Sequence, residues 1–541
     1  MTDQLDTSLN TAVDLVRRAR EVPDRVGVIH ADGRRLTYGE WNDASERAAT
    51  VLLEAGVARH DRVGLYLQND LDLAVLLFAC WRIGAVPVTL SVMYNAAELA
   101  GALDKTEPVA LVAHRGKLDV VLEAERQCTA STEWSTRLFA APDPSSATPA
   151  EHLATDRARD LATAIETAAP TTDLTEPGED DDGTILFTGG TTGLPKAVIM
   201  THRGTRDALT VLATASKGGK PGPYPAAPEG VTPNLLALPL FHSGGQQALL
   251  FALHVGRSIV LMERFDADTL GRLVAEHSID NLFLMPTMLY DIVHAKPAPA
   301  LASVRSVLTA GQALDPGLKR EFEERWEIPV LSNYGSTELG HVAGWTGSDI
   351  RAGKWKPGSA GRIYDGVEVE IRDTDGRALP PGEAGEVCVR RGATGGYVGE
   401  TGDGAEALVV DGWVRSGDVG YLDDDGVLFL VGRQRDMIKT GGFQVWPAEI
   451  EEVLRQHEAV SDVAVVGAPD VRLGEIPMAF IVLSDEAADA GTDHDRLTTE
   501  LIDWCRSRLA HFKAIRSVAV VDALPRSEAG KVQRGALLER V

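Results

Sequence analysis

The sequence predicts an α/β protein. Its large N-terminal domain is built of parallel-sheet α/β subdomains plus a small β-rich subdomain, and a small α+β C-terminal domain follows. Three observations predict it. Short apolar runs alternate with helix-period segments through the first half, as strands and helices do in parallel sheets. Near Val367 the period shortens to two, with Val367, Val369 and Ile371 alternating with Glu368, Glu370 and Arg372, the pattern of a half-buried strand. Beyond Arg435 helix and strand signals mix again over a compact terminal stretch. The boundaries fall at residues 1–434 for the large domain, about 356–431 for its β-rich part, and 435–541 for the small domain.

Residues 62–67 read as a strand, 71–82 as a helix and 85–88 as a strand. The same rhythm recurs at 234–238, 244–254, 258–261, 267–277 and 281–284. In the β-rich part Asp375-Gly376 turns the chain toward a second strand at 385–390. Asp425-Gly426 between Tyr421-Leu422 and residues 427–430 signals a hairpin. Residues 447–455 and 496–509 then read as helices, and 461–466 and 479–483 as strands. Residues 141–182, rich in Ala, Pro, Thr and acids, read as a loop or as part helix, and 217–233, dense in Gly and Pro, read as a loop.

The chain has 541 residues, more than one typical domain, with ordinary contents of 44% hydrophobic and 24% charged residues. A net charge of -26 opposes nucleic-acid phosphates and anionic membrane surfaces as partners. An anionic substrate would therefore need a local cation. Cys80, Cys128, Cys388 and Cys505 are scattered without metal-ligand spacing and read as reduced packing thiols. The polar N-terminus, without a secretory signal, and the shortness of the longest apolar run, near residues 73–81, lead us to expect a cytoplasmic protein with no membrane insertion.

The chemistry-bearing motifs begin with Thr188-Gly189-Gly190-Thr191-Thr192-Gly193-Leu194-Pro195-Lys196, between apolar runs at 184–187 and 197–200. Glycines let backbone N–H groups approach an anion, threonine hydroxyls add donors, and Lys196 adds charge, as polyphosphate binding requires. Ala197 after the lysine excludes a Walker A loop. Asn333-Tyr334-Gly335-Ser336-Thr337-Glu338 follows a strand at Val330-Leu331. Its tyrosine could stack on a base and its carboxylate could hold Mg²⁺, although by itself the hexapeptide is also an ordinary turn. Arg415-Ser416-Gly417-Asp418 offers a carboxylate for ribose hydroxyls, or a strand-end turn. Pro525-Arg526-Ser527-Glu528-Ala529-Gly530-Lys531 sets a lysine after a glycine turn, where a surface lysine is the plain alternative.

In this order the four motifs resemble the adenylate-forming superfamily of acyl-CoA synthetases, adenylation domains and luciferases, in motif style closest to fatty-acid or aryl-acid CoA ligases. The resemblance spans residues 36–534 and also includes Leu238-Pro239-Leu240-Phe241-His242, Gly432-Arg433-Gln434-Arg435-Asp436 and residues 441–449. It implies ATP-dependent activation of a carboxylic acid as an acyl-adenylate with release of pyrophosphate, then transfer to the thiol of CoA. Thr188 to Lys196 would wrap the ATP phosphates. Tyr334 would stack on adenine beside Asn333 and Gly335, with Gly311, Gln312 and Ala313 as the opposite wall. Thr337 would contact the α-phosphate, Glu338 would hold Mg²⁺, and Asp418 and Arg433 would bind the ribose. His242 would gate the acid pocket, although a lone histidine after an apolar run is more often a packing residue. Lys531 would reach from the small domain to the acid and the α-phosphate. The resemblance makes that domain mobile about a hinge at Arg435. Lys439 and Gln444 match positions on its second face, and Gly441, Gly442 and Phe443 would line the tunnel for the acceptor thiol.

The chemistry demands such a set. A carboxylate attacking ATP meets a polyanion, so Mg²⁺ and Lys531 would neutralise charge as the α-phosphorus becomes five-coordinate. Gly189 stands where many relatives carry serine and Ala197 where many carry glycine, without loss of the anion-binding logic. Gln246 and Gln247 after the gate disfavour a long aliphatic tail and favour a short, aromatic or polar acid. The alternatives are an adenylating enzyme with another acceptor, such as a separate carrier protein or nitrite activation for diazotisation of an aryl amine, and a non-catalytic nucleotide-binding homologue.

Overall fold

The structure is a computed structural model. It describes residues 8–129, 137–142, 157–188, 196–216, 227–312, 314–390, 394–399, 408–440, 443–489, 493–526 and 530–541, with Gln444 described in its backbone alone. Among these residues two large sheets and one small sheet organise the chain.

The first sheet has a parallel half, in the order Val26–His30, Ile259–Leu261, Asn234–Leu236, Asn281–Leu284, Ser306–Thr309 and Val330–Ser336. It continues without a break into an antiparallel half of Gly340–Gly344, Ser359–Ile363, Val427–Arg433, Trp413–Leu422, Gly385–Arg390 and Val369–Arg372. The β-rich part read from the sequence is thus joined edge to edge with the parallel strands. The second sheet is parallel through Val86–Thr89, Arg62–Tyr66, Ala110–His114, Leu138–Ala141 and Ala158–Asp160. It continues into the antiparallel hairpin of Asp182–Thr188 and Lys196–Thr201 and ends at the antiparallel edge strand Thr394–Tyr397.

The helix Leu71–Ile83 is apolar on nearly every face, and its side chains are buried almost throughout, as such a pattern requires. Phe78 meets Trp41 and Trp81 edge-to-face at centroid separations of 5.2 and 5.1 Å, within a core shared with the helices Tyr38–Glu54 and Ser243–His254. A third sheet, of Ile438–Thr440, Phe443–Val445, Val460–Asp470, Gly474–Leu483 and Ser517–Val520, has its own core with the helices Pro447–Arg455 and His494–Arg508. The four cysteines are unpaired, Cys128 half-buried and the others buried. Among the described residues no helix is long and apolar enough to cross a membrane.

Loops leaving the carboxyl ends of the parallel strands converge on one edge. Residues 237–242 follow Asn234–Leu236, the helix Pro286–His294 follows Asn281–Leu284, and residues 310–312 follow Ser306–Thr309. That edge of an open α/β sheet is where ligands bind.

Candidate active site

The hexapeptide 333–338 is not a turn after a short strand. The strand runs through Ser336 and pairs antiparallel with Gly340–Gly344. At Gly335 the two backbones come so close that a Cβ would lie 2.0 Å from the carbonyl oxygen of Gly340, so only glycine fits. Residues 415–418 likewise lie inside the strand Trp413–Leu422 and not at its end.

Asp418 and Arg433 face each other across neighbouring strands, and the Arg433 Nε lies 3.0 Å from Asp418 Oδ1. The Tyr334 hydroxyl donates to Asp418 Oδ2 at 2.9 Å. Tyr334 is buried, and the carboxylate compensates its desolvated hydroxyl. Burial and the Asp418 charge push its phenol well above the usual range, so it stays a donor. Each Asp418 oxygen still has lone-pair capacity for a further donor.

At the second edge of the cleft, Thr188 and Lys196 are paired at the open end of their hairpin. Gly189, Gly190, Thr191, Thr192 and Gly193 lie outside the described residues. The Lys196 ammonium stands 4.4 Å from the centroid of the Tyr397 ring. The hydroxyl of the same tyrosine donates to Glu338 Oε1 at 3.2 Å. Beside it, the Thr337 and Ser243 hydroxyls lie 2.9 Å apart. A half-buried carboxylate beside a hydroxyl is a hard-oxygen donor set of the kind that suits Mg²⁺ shared with phosphate oxygens.

Lys531 arrives from the small domain into this charged setting. Burial lowers its ammonium below the usual lysine range, Arg433 and Arg435 push the same way, and Glu338 and Asp418 oppose them. Its side chain nevertheless stays accessible to water. His242 lies within reach of the Lys531 charge. Burial first, and that charge second, hold its imidazole down at about 4, so it is neutral near pH 7. Its buried Nε2 has no hydrogen-bond partner among the described residues, and Phe241 lies 4.9 Å away, centroid to centroid.

Gln246 is buried but committed to the protein, its amide donating to the Leu240 carbonyl at 3.0 Å and to Thr89 Oγ1 at 3.4 Å. Asn333 is also committed. It accepts from the Tyr364 hydroxyl and contacts His341 Nδ1, both at 2.9 Å. Gly311 is exposed and Gln312 half-buried in the loop after Ser306–Thr309, and Ala313 lies outside the described residues.

Arg435 lies in the short turn Gln434–Asp436 that leads into the small domain. Lys439 and Gln444 are paired across the hairpin of Ile438–Thr440 and Phe443–Val445. Lys439 is exposed there, with its amide bound to Glu475, and Phe443 stacks on Phe512 at 4.5 Å. Gly441 and Gly442 lie outside the described residues. The structure therefore gathers Lys196, His242, Thr337, Glu338, Asp418, Arg433 and Lys531 around one cleft, and sets the Lys439 hairpin on the small domain's own sheet. Sequence reading missed Tyr397 and Ser243. Ser243 follows the quoted motif directly, but Tyr397 sits in a Gly-rich stretch with no periodic signal.

The chain belongs to the AMP-binding enzyme family, which it matches over residues 15–398, and residues 449–531 match the AMP-binding enzyme C-terminal domain. It is 30% identical to 4-coumarate–CoA ligase 3 of Oryza sativa subsp. japonica over 99% of this chain and 93% of that one. Two solved structures are similar in shape. A benzoate CoA ligase from Burkholderia xenovorans LB400 has a TM-score of 0.82 and 27% identity, over 98% of this chain and 99% of that one. The o-succinylbenzoate CoA synthetase of Bacillus subtilis, in complex with its acyl-adenylate intermediate, has a TM-score of 0.78 and 27% identity, over 97% of each chain.

Proposed function

We propose that the protein is an ATP-dependent acid–CoA ligase that acts on a small aromatic carboxylic acid through an acyl-adenylate. The observation that carries this reading is Lys531, delivered from the small domain to within electrostatic reach of Glu338, Asp418 and Arg433. Relatives named for coumarate, benzoate and o-succinylbenzoate support an aryl acid.

In this reading Asp418, held by Tyr334 and Arg433, accepts the ribose hydroxyls, and the Tyr334 ring packs on the base. Lys196 and the loop before it bind the β- and γ-phosphates. Glu338, which accepts from the Tyr397 hydroxyl, would hold Mg²⁺, and the ion would offset the charge of the phosphates. Lys531 orients the acid carboxylate against the α-phosphorus. A carboxylate oxygen bonds to that phosphorus, the bond to the bridging oxygen breaks, and pyrophosphate leaves. Neutral His242 borders the acid without adding charge. Small-domain rotation at Arg435, the boundary we place between 1–434 and 435–541, then withdraws Lys531 and brings in the 439–444 hairpin. The CoA thiolate attacks the acyl carbon and AMP leaves. The reading includes a cytoplasmic location, and a free carrier protein is the alternative acceptor to CoA.

The test is ATP–pyrophosphate exchange over a panel of aryl, short, fatty and amino acids plus nitrite, with CoA then added to each active mixture. Exchange with an aryl acid followed by its CoA thioester is the expected result. Exchange with no thioester would move the acceptor away from CoA, and exchange with nitrite alone would overturn the acid assignment.

A further inference from the structure

Lys531 lies on a hairpin whose two arms are tied to each other. Arg526 and Val532 form an antiparallel bridge, and the Gln533 amide donates to the Pro525 carbonyl at 2.8 Å. The Arg526 guanidinium donates to the Gly530 carbonyl at 2.7 Å and also pairs with Asp462. Gly530 itself has φ +67, a left-handed conformation that L side chains rarely adopt.

The far side of this hairpin rests on the large domain. A Cβ at Gly530 would lie 2.4 Å from Thr287 Cγ2, 2.8 Å from its Oγ1 and 3.0 Å from its Cβ. Thr287 is in the first turn of the helix Pro286–His294, which follows the parallel strand Asn281–Leu284. Tyr290, one turn on, is exposed and stacks on His294 at 4.0 Å. Positions 287, 290 and 294 share one helix face. Tyr290 also feels the small domain: burial first, then the charges of Asp462, Asp291 and Asp485, raise its phenol. The same helix face thus meets the lysine hairpin and lies within electrostatic reach of Asp462, the residue that pairs with Arg526 of that hairpin.

We propose that Thr287 is a positioning residue for Lys531: it is the seat on which Gly530 rests when the lysine points into the site, and the contact serves acid activation alone. The inference rests on the ligase reading, in which the small domain turns away before thioester formation. Space at this contact sets how far the ammonium reaches. A side chain on either partner holds the hairpin off the helix and withdraws Lys531 from the acid and the α-phosphate. Thioester formation, for which the hairpin has left its seat, does not feel the change.

The experiment measures both half-reactions on the full chain, with the acid identified by exchange and with its chemically prepared acyl-adenylate plus CoA. Gly530→Ala and Thr287→Leu approach the contact from opposite sides, and thermal melting confirms that each is folded. Each is expected to slow ATP–pyrophosphate exchange by roughly 10- to 100-fold, the range for overpacking a fitted contact, while thioester formation from the supplied adenylate changes by less than about twofold. Thr287→Ala added to Gly530→Ala removes the two nearest atoms and should restore exchange by about fivefold or more. Equal loss of both half-reactions, or no recovery in the double variant, would overturn the seat while the ligase reading stands. A wild-type chain with no exchange for any acid would overturn the ligase reading, and the seat with it.

Discussion

Replacing Lys531 by Met removes one positive charge and keeps most of the apolar stem. In the structure that charge sits between two cations, Arg433 and Arg435, and two anions, Glu338 and Asp418. Protein charges around it therefore nearly balance, and the main beneficiary of the ammonium is the substrate pair of carboxylate and phosphate. A unit charge pair at ~4 Å in an effective dielectric of ~20 is worth about 4 kcal/mol. Because the Lys531 side chain is open to water, screening reduces this, and a loss of roughly 2 to 4 kcal/mol is reasonable. Exchange should fall by about 30- to 10³-fold. Thioester formation from supplied acyl-adenylate should stay within about threefold of wild type. The wild-type activation rate should also decline with alkaline pH earlier than an ordinary lysine would allow, since the folded ammonium is lowered, and Lys531→Met should lose that limb. Equal damage to both half-reactions in Lys531→Met would refute the reasoning.

Four further predictions concern the surroundings. Tyr397→Phe removes the hydrogen bond to Glu338 but keeps the ring under Lys196. It should raise the Mg²⁺ concentration needed for half-maximal exchange by roughly 2- to 10-fold, as loss of one such bond implies. Asp418→Ala leaves Tyr334 and Arg433 without their carboxylate and should raise the KM for ATP by about tenfold or more, read by initial rates at saturating acid. Arg435→Pro stiffens the turn Gln434–Asp436 and should leave exchange largely intact while depressing thioester formation by about tenfold or more. His202 and His341 are buried, and burial holds both imidazoles near about 4. Below the unfolded pKa of about 6.5 the unfolded chain binds the extra protons, so stability should fall as pH drops from about 6.5 to about 4, which melting curves across that window would check.

Much of the fold is legible where periodicity is strong. Residues 267–277 and 447–455 carry clean apolar spacing and form helices over those spans, and 281–284 and 385–390 form strands as read. The helix Tyr38–Glu54 was legible too, through the Thr37 and Glu40 capping box, but went unread. What sequence could not give is how far a strand runs when its glycines serve close backbone approach. Gly335 reads as a turn residue and is a strand residue, because its neighbour across the ladder lies too near for any side chain. The candidate site was proposed from motif order, and Lys531 and Glu338, distant in sequence, come within electrostatic reach of each other only by domain packing. Tyr397 and Thr287 act through partners on other elements, and no local pattern marks such residues. The glutamines at 246 and 247 seemed to speak of the acid. Gln246 instead satisfies a carbonyl of the loop before its helix, a use invisible without the packing.

The central claim, activation through an acyl-adenylate, is tested most directly by isotope transfer. The acid found by exchange is labelled with ¹⁸O in both carboxylate oxygens, and the products with CoA are weighed by mass spectrometry. Attack of the carboxylate on the α-phosphorus, followed by thiol attack at the acyl carbon, leaves one ¹⁸O in AMP and one in the thioester carbonyl. AMP without label, or label recovered in orthophosphate beside ADP, would contradict the account.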